Sequence, residues 1–264
     1  MNHAAPRFLH LTPLLILTLL SSSAHRARAV SFPQQGLALD QSHSVTLGSA
    51  KIAQLSASAR RPFTAIDQAK PGSSFYQFRQ QLQQAVQGRD AAFIRSIAAP
   101  NIRLTFGLPI TLNDLEIDNP NALFWQRLER IISTGCAPYE APAGAPATDA
   151  WVCPHVAQAA LGDPFTDVYV VGEGVNVRAK PQLNSAVVGV LSNEVVAIDQ
   201  AAYNAFSESQ RIAAETLSGW FPVTTPQGQR GYVSSRYAFI PAGYRARFEQ
   251  INNRWQMTIF ITGD

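Results

Sequence analysis

The sequence predicts an α+β protein, in which an N-terminal α+β domain precedes a C-terminal all-β domain. Three observations predict this class. Between residues 73 and 135, apolar side chains recur at helical spacing. From residue 167 onward, short apolar runs alternate with turn-forming residues, as in a series of short strands. The last segment alternates on both sides of Asn252 and Asn253, which is typical of a β-hairpin, and its second strand should carry Trp255, Met257, Ile259 and Ile261 on one face.

Residues 1–29 predict a secretory signal peptide. Arg7 precedes an apolar run at residues 11–20, and small residues precede two candidate cleavage sites, after Ala24 and after Ala29. The run is shorter than the about 20 apolar residues that span a bilayer, so we expect no stable membrane insertion after cleavage. An uncleaved membrane anchor is the alternative. The sequence therefore predicts a periplasmic or secreted protein.

The charge balance argues against a nucleic-acid partner. The chain carries 21 lysines and arginines against 18 acidic residues, and cleavage after Ala29 removes three arginines and no acid. The mature chain is then formally neutral. Nucleic-acid binding requires a basic surface that meets the phosphates. We therefore expect neither nucleic acid nor a strongly anionic polymer as a partner.

The chain has two cysteines, Cys136 and Cys153. In an oxidising compartment an isolated pair favours one disulfide, and two free thiols are the alternative. The pair is too sparse for a four-ligand zinc site, even with His155 close by in the sequence. We expect no metal and no cofactor.

The N-terminal α+β domain is placed at residues 73–165, after a linker at residues 30–72 that lacks sustained periodicity. Its first helix follows Ser73 or Ser74, its second follows Asp90 and its third follows Asn121, because these residue types cap helices. A strand is predicted at residues 101–106, on the alternation of Ile102, Leu104 and Phe106.

The all-β domain is placed at residues 166–241. Residues 200–218 interrupt its strands, since they are polar and rich in alanine, and residues 207–217 predict a surface helical turn. We interpret residues 200–218 as an insertion. Gly228 serves a tight turn between the two strands that follow.

Residues 175–181 read Val-Asn-Val-Arg-Ala-Lys-Pro, which resembles the opening strand of bacterial SH3 (SH3b) domains. Residues 185–191 look like the family's next strand, and Gly219-Trp220 with residues 228–233 looks like its two later strands. The resemblance covers residues 169–240 and implies a small β-barrel that binds ligands. Asn193-Glu194, in place of the usual turn glycine, and the insertion at 200–218 depart from the family. They leave open whether the ligand groove is covered.

The flanking segments resemble, more weakly, secreted bacterial proteins that carry SH3b domains. Their order of helices, strands and an aromatic hairpin is similar to a cone-like, NTF2-like α+β fold. Because an isolated hairpin is marginal in water, we expect residues 243–264 to complete the N-terminal domain, with the barrel inserted between. Phe124, Trp125 and Trp255 would then line a pocket of this domain or form its core.

No motif of a known catalytic class is present, and we assign no catalytic residues. Cys153 and His155 could form a couple on one strand face, but a disulfide cysteine beside an incidental histidine is the simpler interpretation. Two carboxylate pairs could serve as acid and base, although loop carboxylates more often cap turns or face solvent. These pairs are Asp114 with Glu116 and Asp163 with Asp167. We expect the protein not to be an enzyme.

Aromatic residues of the barrel are the candidate binding residues. Trp220, Tyr232 and Tyr237 would form a stacking surface, with Arg178 nearby for a peptide carboxylate. Packing of Trp220 and Tyr232 in the core or at the rim is the alternative. The sequence thus predicts an exported SH3b adaptor that binds cell-wall peptide or another protein without catalysis. Two other functions stay open: a small-molecule-binding or catalytic N-terminal pocket, and a purely structural envelope protein. The identity of the ligand and the oligomeric state also stay open.

Overall fold

The computed structural model describes residues 59–64, 66–144, 148–159 and 161–263. The expected signal peptide and most of the expected linker lie outside these ranges. The described chain contains an eight-stranded and a five-stranded sheet, together with α-helices. The mixed α+β class and a sheet-rich C-terminal region are therefore confirmed.

The strands are numbered in chain order. They are β1 (Arg61–Pro62), β2 (Ala98–Arg103), β3 (Ala137–Pro138), β4 (Ala150–Cys153), β5 (Asp167–Val170), β6 (Val175–Arg178), β7 (Val187–Leu191), β8 (Glu194–Ile198), β9 (Trp220–Thr224), β10 (Arg230–Ser234), β11 (Ala238–Phe239), β12 (Arg245–Ile251) and β13 (Arg254–Ile261).

Three helices pack on one face of the five-stranded sheet. They are α1 (Ser74–Gly88), α2 (Ala91–Ile97) and α3 (Leu123–Ser133). Ser73 and Asp90 cap the first two helices, as predicted, since their side-chain oxygens accept backbone N–H groups of the first turn. Helix α3 instead follows Ala122, so the predicted cap at Asn121 is wrong by one residue.

The five-stranded sheet runs in the order β2, β13, β12, β4, β3. Strands β12 and β13 form the expected hairpin, which turns at Asn252 and Asn253 with φ angles of 51° and 60°. The hairpin lies inside the sheet, where β13 pairs with β2 and β12 pairs with β4. Two strands from the end of the chain thus join three strands that precede β5.

Strand β2 begins earlier than the sequence predicted, at residue 98 instead of 101. Leu104 is buried just after the strand ends, but Phe106 is 41% exposed. The predicted alternation of Ile102, Leu104 and Phe106 in one strand is therefore wrong at its C-terminal end.

A register shift interrupts the hairpin. Phe248 pairs with Met257, whereas the preceding residue, Arg247, pairs with Ile259. Thr258 is therefore an extra residue in β13. Side-chain alternation inverts beyond such a bulge.

The bulge decides which residues of β13 face the helices. Trp255 and Met257 belong to the core between helices and sheet, as predicted. Beyond the bulge Phe260 takes this side, so the prediction that Ile259 and Ile261 share the face of Trp255 is wrong. These two isoleucines lie on the opposite face of the sheet.

The core between the helices and the five-stranded sheet is aromatic. Phe75 of α1 stacks on Trp151 with 4.5 Å between ring centroids and meets Trp255 edge-on at 5.0 Å. Phe124, Trp125 and Trp255 are all buried in this core. Phe124 and Trp125 pack the interior, and Trp255 packs there as well while also lining a surface cavity beside α1 and α2.

The disulfide between Cys136 and Cys153 is present, as predicted, with 4.4 Å between the two Cα atoms. It ties the segment that follows α3 to the end of β4. Both cysteines are buried in the core of the helices and the five-stranded sheet.

The eight-stranded sheet follows the path β11, β5, β8, β9, β10, β6, β7, with β1 paired to β8. Each strand from β5 to β11 contributes at least one buried residue to a single cluster. The cluster includes Val168, Val177, Leu191, Val196, Val223, Val233 and Ala238. Because one core serves all these strands, the sheet curves around it as a small barrel does.

Strand β1 lies within the segment that the sequence predicted as a linker. Arg61 and Pro62 pair with Val195 and Glu194 of β8. Arg61 binds the carboxylate of Asp167 through two hydrogen bonds of 2.7 and 2.9 Å. Arg61 and Pro62 of the expected linker are thus packed against the barrel, whereas Asp67 and Ala69 contact the domain of the three helices.

The insertion at residues 200–218 forms two short helices, α4 (Gln200–Asn204) and α5 (Glu208–Ala214). Ser207 begins α5 with a capping box, in which its Oγ accepts the N–H of Gln210 and the Gln210 side chain accepts the N–H of Ser207. The predicted helical turn within residues 207–217 is therefore confirmed.

Candidate functional site

Three strands of the barrel place three of the four predicted binding residues on one outward side. Arg178 of β6 pairs with Tyr232 of β10, and Tyr232 pairs in turn with Pro222 of β9. Trp220 lies two residues before Pro222, so it faces the same side. Phe221 and Val233, which are sequence neighbours of these residues and point to the opposite side of the sheet, belong to the barrel core. We call the surface of Arg178, Trp220, Pro222 and Tyr232 the aromatic face.

The spacing on the aromatic face follows from the strand register. Side chains directly opposite each other, such as Arg178 and Tyr232, have Cβ atoms about 5 Å apart, and diagonal neighbours lie at about 7–8 Å. Trp220 is a diagonal neighbour of Tyr232 because it pairs with Ser234. Trp220, Tyr232 and Arg178 are all half-buried. Each therefore keeps part of its side chain accessible to a ligand.

Arg178 is held in place by the connection between β6 and β7. Its Nη1 donates to the carbonyl oxygen of Ser185 at 2.7 Å. The hydroxyl of Ser185 accepts the N–H of Lys180 at 2.9 Å, which fixes the same loop. A register shift at Val177 and Arg178 accompanies this contact. The guanidinium is thus oriented before any ligand arrives.

Tyr237 does not lie on the aromatic face. It belongs to the turn after β10, where its N–H donates to the carbonyl oxygen of Ser234 at 2.9 Å and its carbonyl oxygen accepts the N–H of Val171 at 2.7 Å. Its side chain is 45% exposed. The structure therefore brings three of the four predicted residues onto one surface and places the fourth at the turn beside it.

The insertion packs on the other side of β9. Phe221 lies parallel to the ring of Tyr203, with 6.5 Å between centroids, and Ala214 is buried in the barrel core with Phe221. Phe221 points away from Trp220 and Pro222, since successive side chains of a strand alternate. The apolar contacts of the insertion are therefore made away from the aromatic face.

Pro222 is the member of the aromatic face that sequence reasoning missed. It is buried between Trp220 and Tyr232. The sequence does contain a signal for it: Pro222 lies two positions after Trp220 in the predicted strand, so the two side chains point to the same side. Because Pro222 is buried, it exposes little surface to a ligand, and it has no backbone N–H to donate.

The couple of Cys153 and His155, considered above as the less simple interpretation, is not formed. Cys153 is in the disulfide, and His155 begins a 3₁₀ helix (His155–Gln158) after Pro154. The Nδ1 atom of His155 lies 3.0 Å from the carbonyl oxygen of Thr134. Burial lowers the pKa of His155 despite this contact. The imidazole is therefore neutral at pH 7.

Three of the four candidate carboxylates, Asp114, Asp163 and Asp167, hold a local structural contact. Asp114 accepts both the N–H and the hydroxyl of Thr111 at 2.7 Å, and these bonds lower its pKa. Asp163 accepts backbone N–H groups of the following turn, which lowers its pKa as well. The hydrogen bonds from Arg61 lower the pKa of Asp167. These carboxylates are ionised at neutral pH and occupied by local partners.

Within the described ranges, no cluster of three or more histidine, cysteine or acidic side chains could hold a metal ion. Among the helices of the same ranges, none is long and apolar enough to cross a bilayer.

A small curved antiparallel sheet with basic and aromatic residues on one outward side defines a compact binding module. Residues 173–238 match the family model described as the bacterial SH3 domain. This segment, from the turn before β6 to the start of β11, is therefore a bacterial SH3 domain, and the predicted resemblance is confirmed there. No curated protein and no solved structure matched the chain.

Proposed function

We propose that the chain is an exported adaptor that binds a cell-wall peptide or another protein through the aromatic face, without catalysing a reaction. The observation that carries the proposal is the row formed by Arg178, Tyr232 and Pro222, with Trp220 diagonal to it. Bacterial SH3 domains are binding modules, and the matched segment contains this entire row.

The chemistry of the row suits a peptide. Tyr and Trp offer large apolar surfaces with a polar tip, and they are enriched among the residues that dominate binding energy. A guanidinium recognises carboxylates through paired hydrogen bonds. Arg178 is already oriented by Ser185, so little side-chain entropy is lost when a ligand carboxylate binds.

Export and the lack of catalysis are parts of the same proposal. A disulfide is typical of proteins that fold in an oxidising compartment, and Cys136 and Cys153 form one. The candidate nucleophile Cys153 is consumed by that bond, and Asp167 is engaged by Arg61. These contacts favour structural roles over catalytic ones.

We also propose that the domain formed by the three helices and the five-stranded sheet has an NTF2-like fold. Three helices against one face of a five-stranded sheet support it. Its interior is filled by Phe124, Trp125 and Trp255, which does not favour a small-molecule or catalytic role for that interior. The adaptor function is therefore preferred.

The test is co-sedimentation of the purified chain with peptidoglycan sacculi, with chemical cross-linking to envelope proteins as a second arm. We expect Trp220→Ala and Tyr232→Ala each to weaken binding about tenfold or more, since such residues behave as hot spots. Phe165→Ala is the control, because Phe165 is an exposed aromatic residue outside the aromatic face.

Circular dichroism should show that all three variants keep the wild-type fold. Binding that survives the Trp220→Ala/Tyr232→Ala double variant would contradict the assignment of the face. Failure of the wild type in both arms would contradict the adaptor function.

A further inference from the structure

The face of the five-stranded sheet that points away from the helices carries a row of arginines over isoleucines. Arg103 of β2 pairs with Ile259 of β13, and Ile259 pairs with Arg247 of β12. Neighbouring strands are about 4.8 Å apart, so the two arginine backbones lie about 10 Å apart across Ile259. Arg245 and Ile261 form the next pair along the same strands.

Two of these guanidiniums converge on one ring. The guanidinium carbon of Arg103 lies 4.4 Å from the ring centroid of Phe106, and that of Arg245 lies 5.8 Å from the same centroid. Arg247 is placed similarly over Tyr139, at 4.8 Å. Stacking on aromatic rings fixes the planes of the guanidiniums.

These side chains surround a cavity of about 250 Å³. We call it the arginine groove, and its defining residues are Arg103, Phe106, Arg245, Arg247, Ile259 and Ile261. Its floor is apolar, because Ile261 and Val152 are buried and Ile259 is half-buried. Its walls are cationic.

The positive charges of the arginines that line the groove are not all balanced by carboxylates of the described residues. Glu249 forms an ion pair with Arg247 at 2.7 Å and also accepts the hydroxyl of Thr258 at 2.9 Å. Arg245 is tethered too, since its Nη1 donates to the carbonyl oxygen of Gly243 at 3.3 Å. Glu249 thus balances the charge of Arg247, whereas Arg103 forms no ion pair with a carboxylate among the described residues.

Within the described chain, a further polar group without a partner belongs to Gln158, which lines the groove and also a neighbouring cavity. The side-chain nitrogen of Gln158 is buried and finds no hydrogen-bond acceptor among the described residues. Gln158 is part of the lining. A buried donor without an acceptor costs free energy, and a ligand oxygen would remove that cost.

We propose that the arginine groove binds a small carboxylate whose body is apolar. Guanidiniums form paired hydrogen bonds with a carboxylate, and the isoleucine floor buries hydrocarbon. The volume of the groove equals that of about eight waters, at about 30 Å³ each, so the ligand has about ten non-hydrogen atoms. Such a carboxylate is either a free organic acid or the C-terminal residue of a peptide chain.

The site is independent of the aromatic face, because it is built from β2, β12, β13 and the segments that flank β3 and β4. The bulge at Thr258 creates it: without the extra residue, Ile259 and Ile261 would face the helices. Loss of one site therefore leaves the other intact.

The test is methyl NMR of the purified chain with its disulfide intact, at pH 7, with the signals of Ile259 and Ile261 as reporters. The probes are benzoate, acetyl-alanine, acetyl-alaninamide, benzyl alcohol and inorganic phosphate. We expect saturable shifts with benzoate or acetyl-alanine, at a Kd of about 1 mM or below for ligands of this size. The uncharged probes and phosphate should bind at least about tenfold more weakly.

Tighter binding of benzoate identifies a free acid as the ligand type, and tighter binding of acetyl-alanine identifies a chain end; both outcomes support the site. Arg103→Gln should weaken the preferred probe about tenfold or more, since it removes one cation from an exposed position. Arg254→Gln is the matched control, because Arg254 is an exposed arginine at the other end of β13.

Three results would overturn the proposal. They are equal binding of benzyl alcohol and benzoate, preference for phosphate over both carboxylates, and equal affinity in Arg103→Gln and wild type. Gln158→Met provides a second reading: it should weaken the carboxylate probe while leaving the free energy of unfolding of the ligand-free chain unchanged or higher, since a buried unpaired donor is removed.

Discussion

Arg130 of helix α3 donates its Nε–H to the main-chain oxygen of Ser235, in the turn after β10, at 3.1 Å. Its Nη2 donates to the carbonyl oxygen of Ala238 at 2.6 Å, and its guanidinium carbon lies 4.4 Å from the ring centroid of Phe239. Arg130 is 3% exposed. Burial lowers its pKa to about 10, so it remains charged at neutral pH. A buried cation thus joins the helical layer to the barrel.

The same region fixes the insertion at residues 200–218. The hydroxyl of Ser235 donates to the carbonyl oxygen of Thr216 at 2.5 Å and accepts the N–H of Gly219 at 2.9 Å. One turn before Arg130 on α3, Arg127 binds the carboxylate of Glu215 at 2.6 Å. Helix α3 therefore holds both the barrel turn and the end of the insertion.

Arg130→Met should lower the free energy of unfolding by about 2–4 kcal/mol, because it leaves the buried carbonyl groups of Ser235 and Ala238 without donors. Arg130→Lys keeps the charge but cannot reach both carbonyls with a planar fork, so we expect an intermediate loss. Urea denaturation measures both. A loss below 1 kcal/mol for Arg130→Met would argue against a structural role for this contact.

Gly219→Ala should destabilise the chain by about 1–3 kcal/mol through overpacking. A Cβ atom at this position would collide with the backbone of Ala213 in helix α5. Gly88→Ala is the matched control, since a Cβ there meets no atom within 4 Å and Gly88 lies at the end of a helix. In thermal melting, Gly219→Ala should have a lower melting temperature than Gly88→Ala. Equal melting temperatures would refute the close approach at Gly219.

Removal of the disulfide by Cys136→Ser/Cys153→Ser should cost about 3 kcal/mol, as the chain-entropy model gives for a loop of this length. The two cysteines are separated by 17 positions. Denaturation with and without reductant supplies the control, because reductant should destabilise the wild type and leave the double variant unchanged. A wild type that is insensitive to reductant would count against a stabilising bond.

Local patterns predicted the parts of the fold that depend on a few adjacent residues. Ser73 and Asp90 were identified as caps, and Asn252-Asn253 as a turn, because each acts on backbone groups within three residues of itself. The barrel was recognised from the motif around Arg178, and the register then placed Arg178 beside Tyr232.

The errors arose where distant residues or a single extra residue decide the structure. Strict alternation along β13 cannot reveal the bulge at Thr258, which depends on pairing with β12. Arg130 would be assigned to solvent by its residue type, and its acceptors lie more than 100 positions away. Strand β1 has two residues, too few to show a period, and ion pairs from Arg61 and its neighbour Arg60 hold it.

The arginine groove illustrates the same limit. Arg245 and Arg247 alternate with Phe248 in the predicted strand, so their outward direction could be inferred from the sequence. Their convergence with Arg103 could not be inferred, because β2 pairs with β13 in parallel across more than 150 positions. A site of this kind becomes visible only with the strand order.

His155 gives the chain a pH-dependent stability with a defined sign. It is 7% exposed, and a carbonyl oxygen can only accept, so its Nδ1 donates to Thr134 and its Nε2 keeps a lone pair. The Nε2 atom is buried without a hydrogen-bond partner among the described residues. Burial lowers the pKa of His155 below its ordinary value of about 6.5, although the bond to Thr134 and the charge of Asp67 oppose the shift.

Because this pKa is lowered on folding, the unfolded chain binds a proton below pH of about 6.5 that the folded chain does not yet bind. The contribution of His155 to stability is therefore complete above that pH and is lost as the pH falls toward the folded-state pKa.

Urea denaturation between pH 7.5 and 5 should show a falling free energy of unfolding for the wild type and a flatter profile for His155→Gln. The comparison rests on slopes, so a uniform loss of stability in the variant does not affect it. Carboxylates such as Asp67 and Asp167, whose pKa values are lowered, act only below this range, at a pH of about 4 and under. Parallel profiles for the two proteins would show that His155 does not titrate as its burial requires.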